Sequence, residues 1–131
     1  MKVSYLFDTH VWLWAQSEPE KLPKRVRNVI EDPDTTLFFS VASTWEIATK
    51  HALGRLELPE SPAKYISSRL AENQVRILPI EQRHALRSAE LPWLHNDPFD
   101  RLLIAQAQTE RLIFISADRI ARKYEISFLW K

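Results

Sequence analysis

DPFDRLLIAQAQTERLIFISAD, Asp97 to Asp118, is the stretch that decides the fold. Asp97-Pro98 sets an N-cap before a proline at the first helical position, which starts a helix running to about Thr109. Leu112-Ile113-Phe114-Ile115 is then a continuous apolar run of strand length. An unbroken run, rather than an alternating one, is expected of a strand buried on both faces in a parallel sheet. The run ends on Ser116-Ala117-Asp118, which puts an acid just past the strand's carboxyl end.

Working outward, the same alternation recurs. Val3 to Phe7 reads as a buried strand ended by Asp8-Thr9, with a short helix from Thr9 to Gln16. Lys24 to Glu31 is an amphipathic helix that stops before Asp32-Pro33. Leu37 to Ser40 is a second strand, followed by a helix from Ala42 to Leu53 with Gly54 as its stop. A helix from Pro62 to Asn73, a strand from Val75 to Leu78 and a helix from Glu81 to Glu90 follow, then a loop over Pro92 to Asn96. After Asp118 we expect a short helix to Tyr124 and a last strand from Ile126 to Trp130. The pattern predicts an α/β protein: three layers, α/β/α, around a central parallel sheet of four to five strands. Its 131 residues fit one domain, 1–131.

Composition excludes several chemistries. There is no Cys, so thiolate catalysis and Cys-based zinc sites are out. Gly54 is the one glycine, so a Gly-rich phosphate loop is out as well. No apolar run is long enough to span a bilayer, and the N-terminal run ends too early in a charge for a signal peptide. These features predict a cytoplasmic protein with no membrane contact. Net charge is +1, so attraction for a polyanion must come from local basic patches or bound metal.

What remains is a scattered set of acids. Ligand sites of open parallel sheets lie beyond the carboxyl ends of the strands. Asp8 and Asp118 fall there, Glu46 lies early in the helix after the second strand, and Asp97 and Asp100 open the helix feeding Leu112 to Ile115. Carboxylates brought this close repel one another, and a hard divalent cation such as Mg²⁺ or Mn²⁺ relieves the repulsion. Such ions activate water and hold a phosphate. Each acid also has a structural reading: Asp97 and Asp118 as N-caps, Asp100 in a D-x-x-D arrangement, and Glu46 in a capping box with Ser43. The set is more informative than any member.

Leu6-Phe7-Asp8-Thr9-His10, Ser40 through Trp45-Glu46-Ile47, His95 through Ala107, and Ile115-Ser116-Ala117-Asp118 together resemble the four motifs of PIN domains. Trp45-Glu46-Ile47-Ala48, Leu53 to Pro59 and Asp97-Pro98-Phe99-Asp100-Arg101 resemble the VapC-type toxins of bacterial toxin–antitoxin pairs. The resemblance implies a PIN-like fold and a metal-dependent endoribonuclease, commonly a homodimer, held inactive by a cognate VapB-like antitoxin. It assigns Asp8, Glu46, Asp100 and Asp118 as the catalytic acids, with Asp8 and Asp100 the principal Mg²⁺ (or Mn²⁺) ligands. Glu46 and Asp118 would bind through water or orient the attacking water. Thr9 and Ser116 would hydrogen-bond the carboxylates or a metal-bound water, Ser116 standing where Thr is more usual. Asp97 competes with Asp100 for the third acidic position and is expected in the outer shell. Arg101 is either a phosphate contact or a solvated helix residue.

Lys50, His51 and Arg55 form either a basic rim or a plain exposed helix face. Trp12, Trp14 and Trp45 are expected in the core or a dimer interface, and Trp93, in a loop, against RNA or a partner. Other readings fit worse. A haloacid-dehalogenase-like phosphatase needs a second Asp where His10 stands, and a receiver domain needs a late Lys where Asp118 stands. A catalytically silent PIN-like module that only binds RNA or protein remains the alternative, and the full set of acids argues against it.

Overall fold

The computed structural model describes residues 2–131. Its elements, in chain order, are β1 (Val3–Phe7), α1 (Thr9–Ser17), α2 (Lys24–Glu31), β2 (Thr35–Ser40), α3 (Val41–Ala52), α4 (Pro62–Glu72), β3 (Arg76–Leu78), α5 (Gln82–Glu90), α6 (Pro98–Glu110), β4 (Ile113–Ile115) and β5 (Phe128–Leu129). All strand pairs are parallel, in the order β3-β2-β1-β4-β5.

Adjacent strand residues point to opposite faces, and this splits the core in two. Leu6 and Phe114 face one helical layer and pack with Leu102, Leu103 and Ile104 of α6. Phe7, Phe39 and Ile115 face the other, against Trp12 of α1, Val26 of α2 and Ile66 of α4. Two cores on one sheet make the three layers that unbroken apolar strands require.

Helix α3 contributes Ala42 to the first core and Ile47 to the second, so it spans the sheet's carboxyl edge. Its cap is Ser40, whose Oγ accepts the Ala42 N–H at 2.9 Å and donates to Gln106 Oε1 at 2.5 Å. That fixes the start of α3 against α6.

Two expectations need correction. The Asp118–Tyr124 stretch is not a helix: Asp118 Oδ1 accepts the Ile120 N–H at 2.8 Å and closes a turn, and only Ala121–Lys123 coils, as a 3₁₀ turn. The last strand is shorter than Ile126 to Trp130, because β4 offers it only a three-residue edge.

Candidate active site

The sheet order turns at β1: the chain proceeds from β1 to β2 on one side and returns through β4 on the other. A crevice opens at such a switch point beyond the strand ends. Asp8 follows β1 there, its N–H bonded to Ile115 O at 2.9 Å. Ser116 follows β4, and its Oγ donates to Asp8 Oδ2 at 2.6 Å and accepts the Asp118 N–H at 2.9 Å. One buried hydroxyl therefore fixes two acids on adjacent strand ends. On the other side Thr9 Oγ1 bonds Ser43 Oγ at 2.8 Å and ties β1 to α3, the helix carrying Glu46.

Glu46 is therefore not part of a capping box with Ser43, because Ser40 caps α3 and Ser43 is engaged by Thr9. Asp8 and Glu46 are buried, at 6% and 2% exposure. Each keeps one carboxylate oxygen, Asp8 Oδ1 and Glu46 Oε1, without any hydrogen-bond partner. A buried acceptor left unpaired costs about 1–3 kcal/mol, more if charged, so a donor or cation reaching these two would be stabilising.

Asp97 and Asp100 separate by what they bond. Asp97 Oδ1 accepts the N–H groups of Phe99 (2.8 Å) and Asp100 (3.2 Å) and caps α6. Asp100, one turn in, points its carboxylate at His95: Oδ2 lies 3.2 Å from His95 Nε2, and Asp118 Oδ2 lies 2.7 Å from the same atom. His95 Nδ1 accepts the Asp97 N–H at 3.2 Å, which places the ring proton on Nε2, facing both carboxylates. On the opposite rim Lys50 Nζ reaches Glu46 Oε2 at 2.5 Å, one helical turn away.

Charge repulsion shows in the proton affinities. Burial first, then the charges of Asp8, Asp97, Glu46 and Asp118, push Asp100 up to about 8. Burial also raises Asp8, against the Ser116 hydrogen bond and the charge of His10, with Glu46 and Asp118 adding to the rise. Lys50 is lowered by burial, but its bond to Glu46 and the charges of Glu46, Asp97 and Asp100 outweigh this and raise it overall. Glu46 and Asp118 thus act on both Asp8 and Asp100. A cleft of about 250 Å³, with Glu46, Lys50, Thr9, His10 and Arg55 in its walls, adjoins them.

Arg101 is neither a phosphate contact nor a solvated residue. It is 3% exposed, and its guanidinium donates to the carbonyls of Ser88, Leu91, Pro92 and His95 at 2.7–3.0 Å. The Trp93 ring covers it at 3.5 Å. It acts as a strut that shapes the 91–97 loop and so delivers His95 to the acids. Sequence reasoning misses His95 as a site residue. Its one signal is position, two residues before the Asp97 cap in a stretch that reads as loop. Lys50 reads from the sequence only as rim charge, although its spacing from Glu46 is that of an ion pair.

The class this defines is a parallel three-layer α/β/α fold with carboxylates gathered at its switch point. The PIN domain family model matches residues 5–126, and the chain belongs to that family. It is 33% identical over 58 residues to Ribonuclease VapC16 of Mycobacterium tuberculosis, a match covering 44% of this chain and 41% of that relative's length. Among solved structures, it resembles a chain of VapBC2 from Rickettsia felis bound to a promoter DNA fragment (TM-score 0.71, 13% identity, 98% and 100% of the two chains covered). It also resembles a chain of DNA-bound VapBC from Salmonella typhimurium (TM-score 0.72, 12% identity, 98% of both chains). At such identities the likeness is one of fold.

Proposed function

We propose that the chain is a divalent-metal-dependent endoribonuclease, the toxin of a toxin–antitoxin pair. The observation that carries this is the pair of buried, partnerless carboxylate oxygens on Asp8 and Glu46, beside a proton-retaining Asp100. An all-oxygen donor set suits a hard cation, Mg²⁺ or Mn²⁺. Asp8 and Asp100 would hold the ion, and Glu46 and Asp118 would reach it through water. The ion would supply charge to the scissile phosphate and acidity to the attacking water.

The chain's own groups do the rest. Ser116 holds Asp8 and the Asp118 backbone in register at one edge of the sheet. Thr9, through Ser43, keeps Glu46 at the same edge. Lys50 donates to Glu46 on one rim, and the His95 Nε2–H faces Asp118 and Asp100 on the other. Water attacks phosphorus in line, the bond from phosphorus to the 3′ oxygen breaks, and the products carry a 5′-phosphate and a 3′-hydroxyl.

As partners we propose a VapB-like antitoxin, in keeping with relatives solved as VapBC complexes, and a second copy of the chain. Trp45 packs edge-on against Phe99 at 4.9 Å yet stays 56% exposed, an apolar surface suited to a partner. Among the described residues no helix is long and apolar enough to cross a membrane, in keeping with a cytoplasmic site of action. The test is cleavage of single-stranded RNA by purified protein in Mg²⁺ or Mn²⁺. Cleavage should vanish with EDTA and in Asp8→Asn. Activity surviving both would overturn the mechanism, and RNA binding without cleavage would favour the silent module.

A further inference from the structure

A second concavity, of about 260 Å³, lies beside the acids and plays no part in the chemistry above; its walls are Ala117, Arg119, Arg122, Phe128, Trp130 and Lys131. We propose that Arg119 and Arg122 form a subsite for the phosphate backbone of single-stranded RNA, next to the scissile position. This rests on the ribonuclease reading and extends it to how the strand is held.

Position comes first. Arg119 follows Asp118 directly, so the pocket begins one residue from a catalytic carboxylate. Strands β4 and β5 bring the two walls together: Ser116 N–H bonds Leu129 O at 3.2 Å, which sets Trp130 beside the Ser116–Asp118 turn. A strand whose scissile phosphate sat at Asp118 would have this wall at its side.

Commitment comes second. Two other arginines are engaged internally: Arg101 is bonded to four carbonyls, and Arg83 is paired with Glu81 and Glu110. Arg119 and Arg122 are exposed and have no carboxylate within ion-pair distance among the described residues. Arg122 instead lies 5.5 Å from the Phe128 ring, which orients its guanidinium without neutralising it. With a net charge of only +1, the chain depends on such local patches to attract RNA.

Chemistry comes third. Planar guanidinium groups match phosphate oxygens two at a time. Half-buried Trp130, braced by Trp14 at 6.0 Å, adds an aromatic wall of the kind on which unpaired bases stack. Cations alternating with aromatics favour RNA over an acidic peptide, which would use only the cations.

The test is anisotropy of a labelled 12-nucleotide single-stranded RNA with the full chain in Ca²⁺, measured across a salt series. Arg119→Ala/Arg122→Ala should bind about tenfold more weakly. Its slope of log affinity on log salt should be shallower by roughly 1.4, about 0.7 for each phosphate that is no longer neutralised. Arg25→Ala/Arg27→Ala removes the same charge from α2 and should match wild type. Both doubles change exposed residues, and thermal melting checks that they fold. Unchanged affinity and slope in the first double, or an equal fall in the second, would overturn the subsite while leaving the nuclease reading intact. Wild type that neither binds nor cleaves RNA would fell both. Loss of poly-glutamate binding with RNA binding unchanged would reassign the pocket to an acidic peptide and overturn the RNA assignment.

Discussion

Two clusters in this molecule combine histidine with carboxylates, and only one adjoins buried carboxylate oxygens that lack partners. At the α5–α6 contact, Glu81, His84 and Glu110 bring ligand-type atoms within 4.8 Å of one another. His95, Asp100 and Asp118 do the same at the sheet edge. In the first cluster every group is satisfied. Arg83 pairs with Glu81 at 2.9 Å and with Glu110. His84 Nδ1 accepts the Glu81 N–H at 2.9 Å, so its Nε2 carries the proton and donates to Glu110 at 2.9 Å. A neutral imidazole used at both nitrogens has no lone pair left for a metal. At the sheet edge the chain's donors, Lys50 and His95, leave Asp8 Oδ1 and Glu46 Oε1 unserved. Residue type marks both clusters alike, and uncompensated electrostatics separate the site from the pin.

The sharpest way to break this distinction is by activity. Asp8→Asn should lower RNA cleavage on the order of a thousandfold, about 4 kcal/mol in the barrier. Glu110→Gln should leave cleavage within about threefold, since its charge serves only Arg83 and His84. A comparable fall in both, measured as initial rates at equal folded protein, would erase the contrast.

Stability should invert the order. His84→Ala empties a fully buried site and strands the Glu81 N–H, and is expected to cost about 3 kcal/mol in urea unfolding. Asp100→Asn should be neutral or stabilising without metal, because it removes the cost of taking up a proton on folding. A destabilised Asp100→Asn with a near-neutral His84→Ala would mean that the roles are reversed.

The two regions also differ in how far the sequence reveals them. Unbroken apolar strands announce the parallel sheet, and a parallel sheet places its site at the strand ends, so Asp8 and Asp118 can be located from strand boundaries alone. Composition and periodicity leave Asp97 and Asp100 as rivals, because both fit the start of α6, and only the resemblance favours Asp100; the backbone N–H bonds of the cap divide them. Arg101 misleads for the opposite reason. Its charge suggests exposure, while its partners are carbonyls of a loop with no regular pattern. His95 depends on that same loop. Side chains placed by irregular backbone leave no periodicity to read.

Metal binding sharpens the comparison further. Mg²⁺ or Mn²⁺ at a hundred times its dissociation constant should stabilise the wild type by roughly 2.7 kcal/mol. That stabilisation should persist in Glu110→Gln and disappear in Asp100→Asn. Calorimetric melting with and without EDTA checks this, and its disappearance in Glu110→Gln instead would move the metal to α5–α6.

The smallest effect is also the one that tests the electrostatics most directly. Asp100 is held at about 8 when folded, against an ordinary value of 3.8. Between those limits the folded state keeps a proton that the unfolded chain has released, so metal-free stability must fall as pH rises from about 4 to 8. Asp8, raised for the same reason, adds to the slope. Solvent reaches Asp100, and Lys50 and His95 screen it, which reduces the full shift to about 1–2 kcal/mol in practice. Asp100→Asn should flatten the slope, and saturating Mg²⁺ should do the same by supplying the missing positive charge. Glu110→Gln should leave it in place. A wild-type protein whose metal-free stability rises over that interval would show the acids to be already neutralised, and the sheet edge would then be a second structural pin.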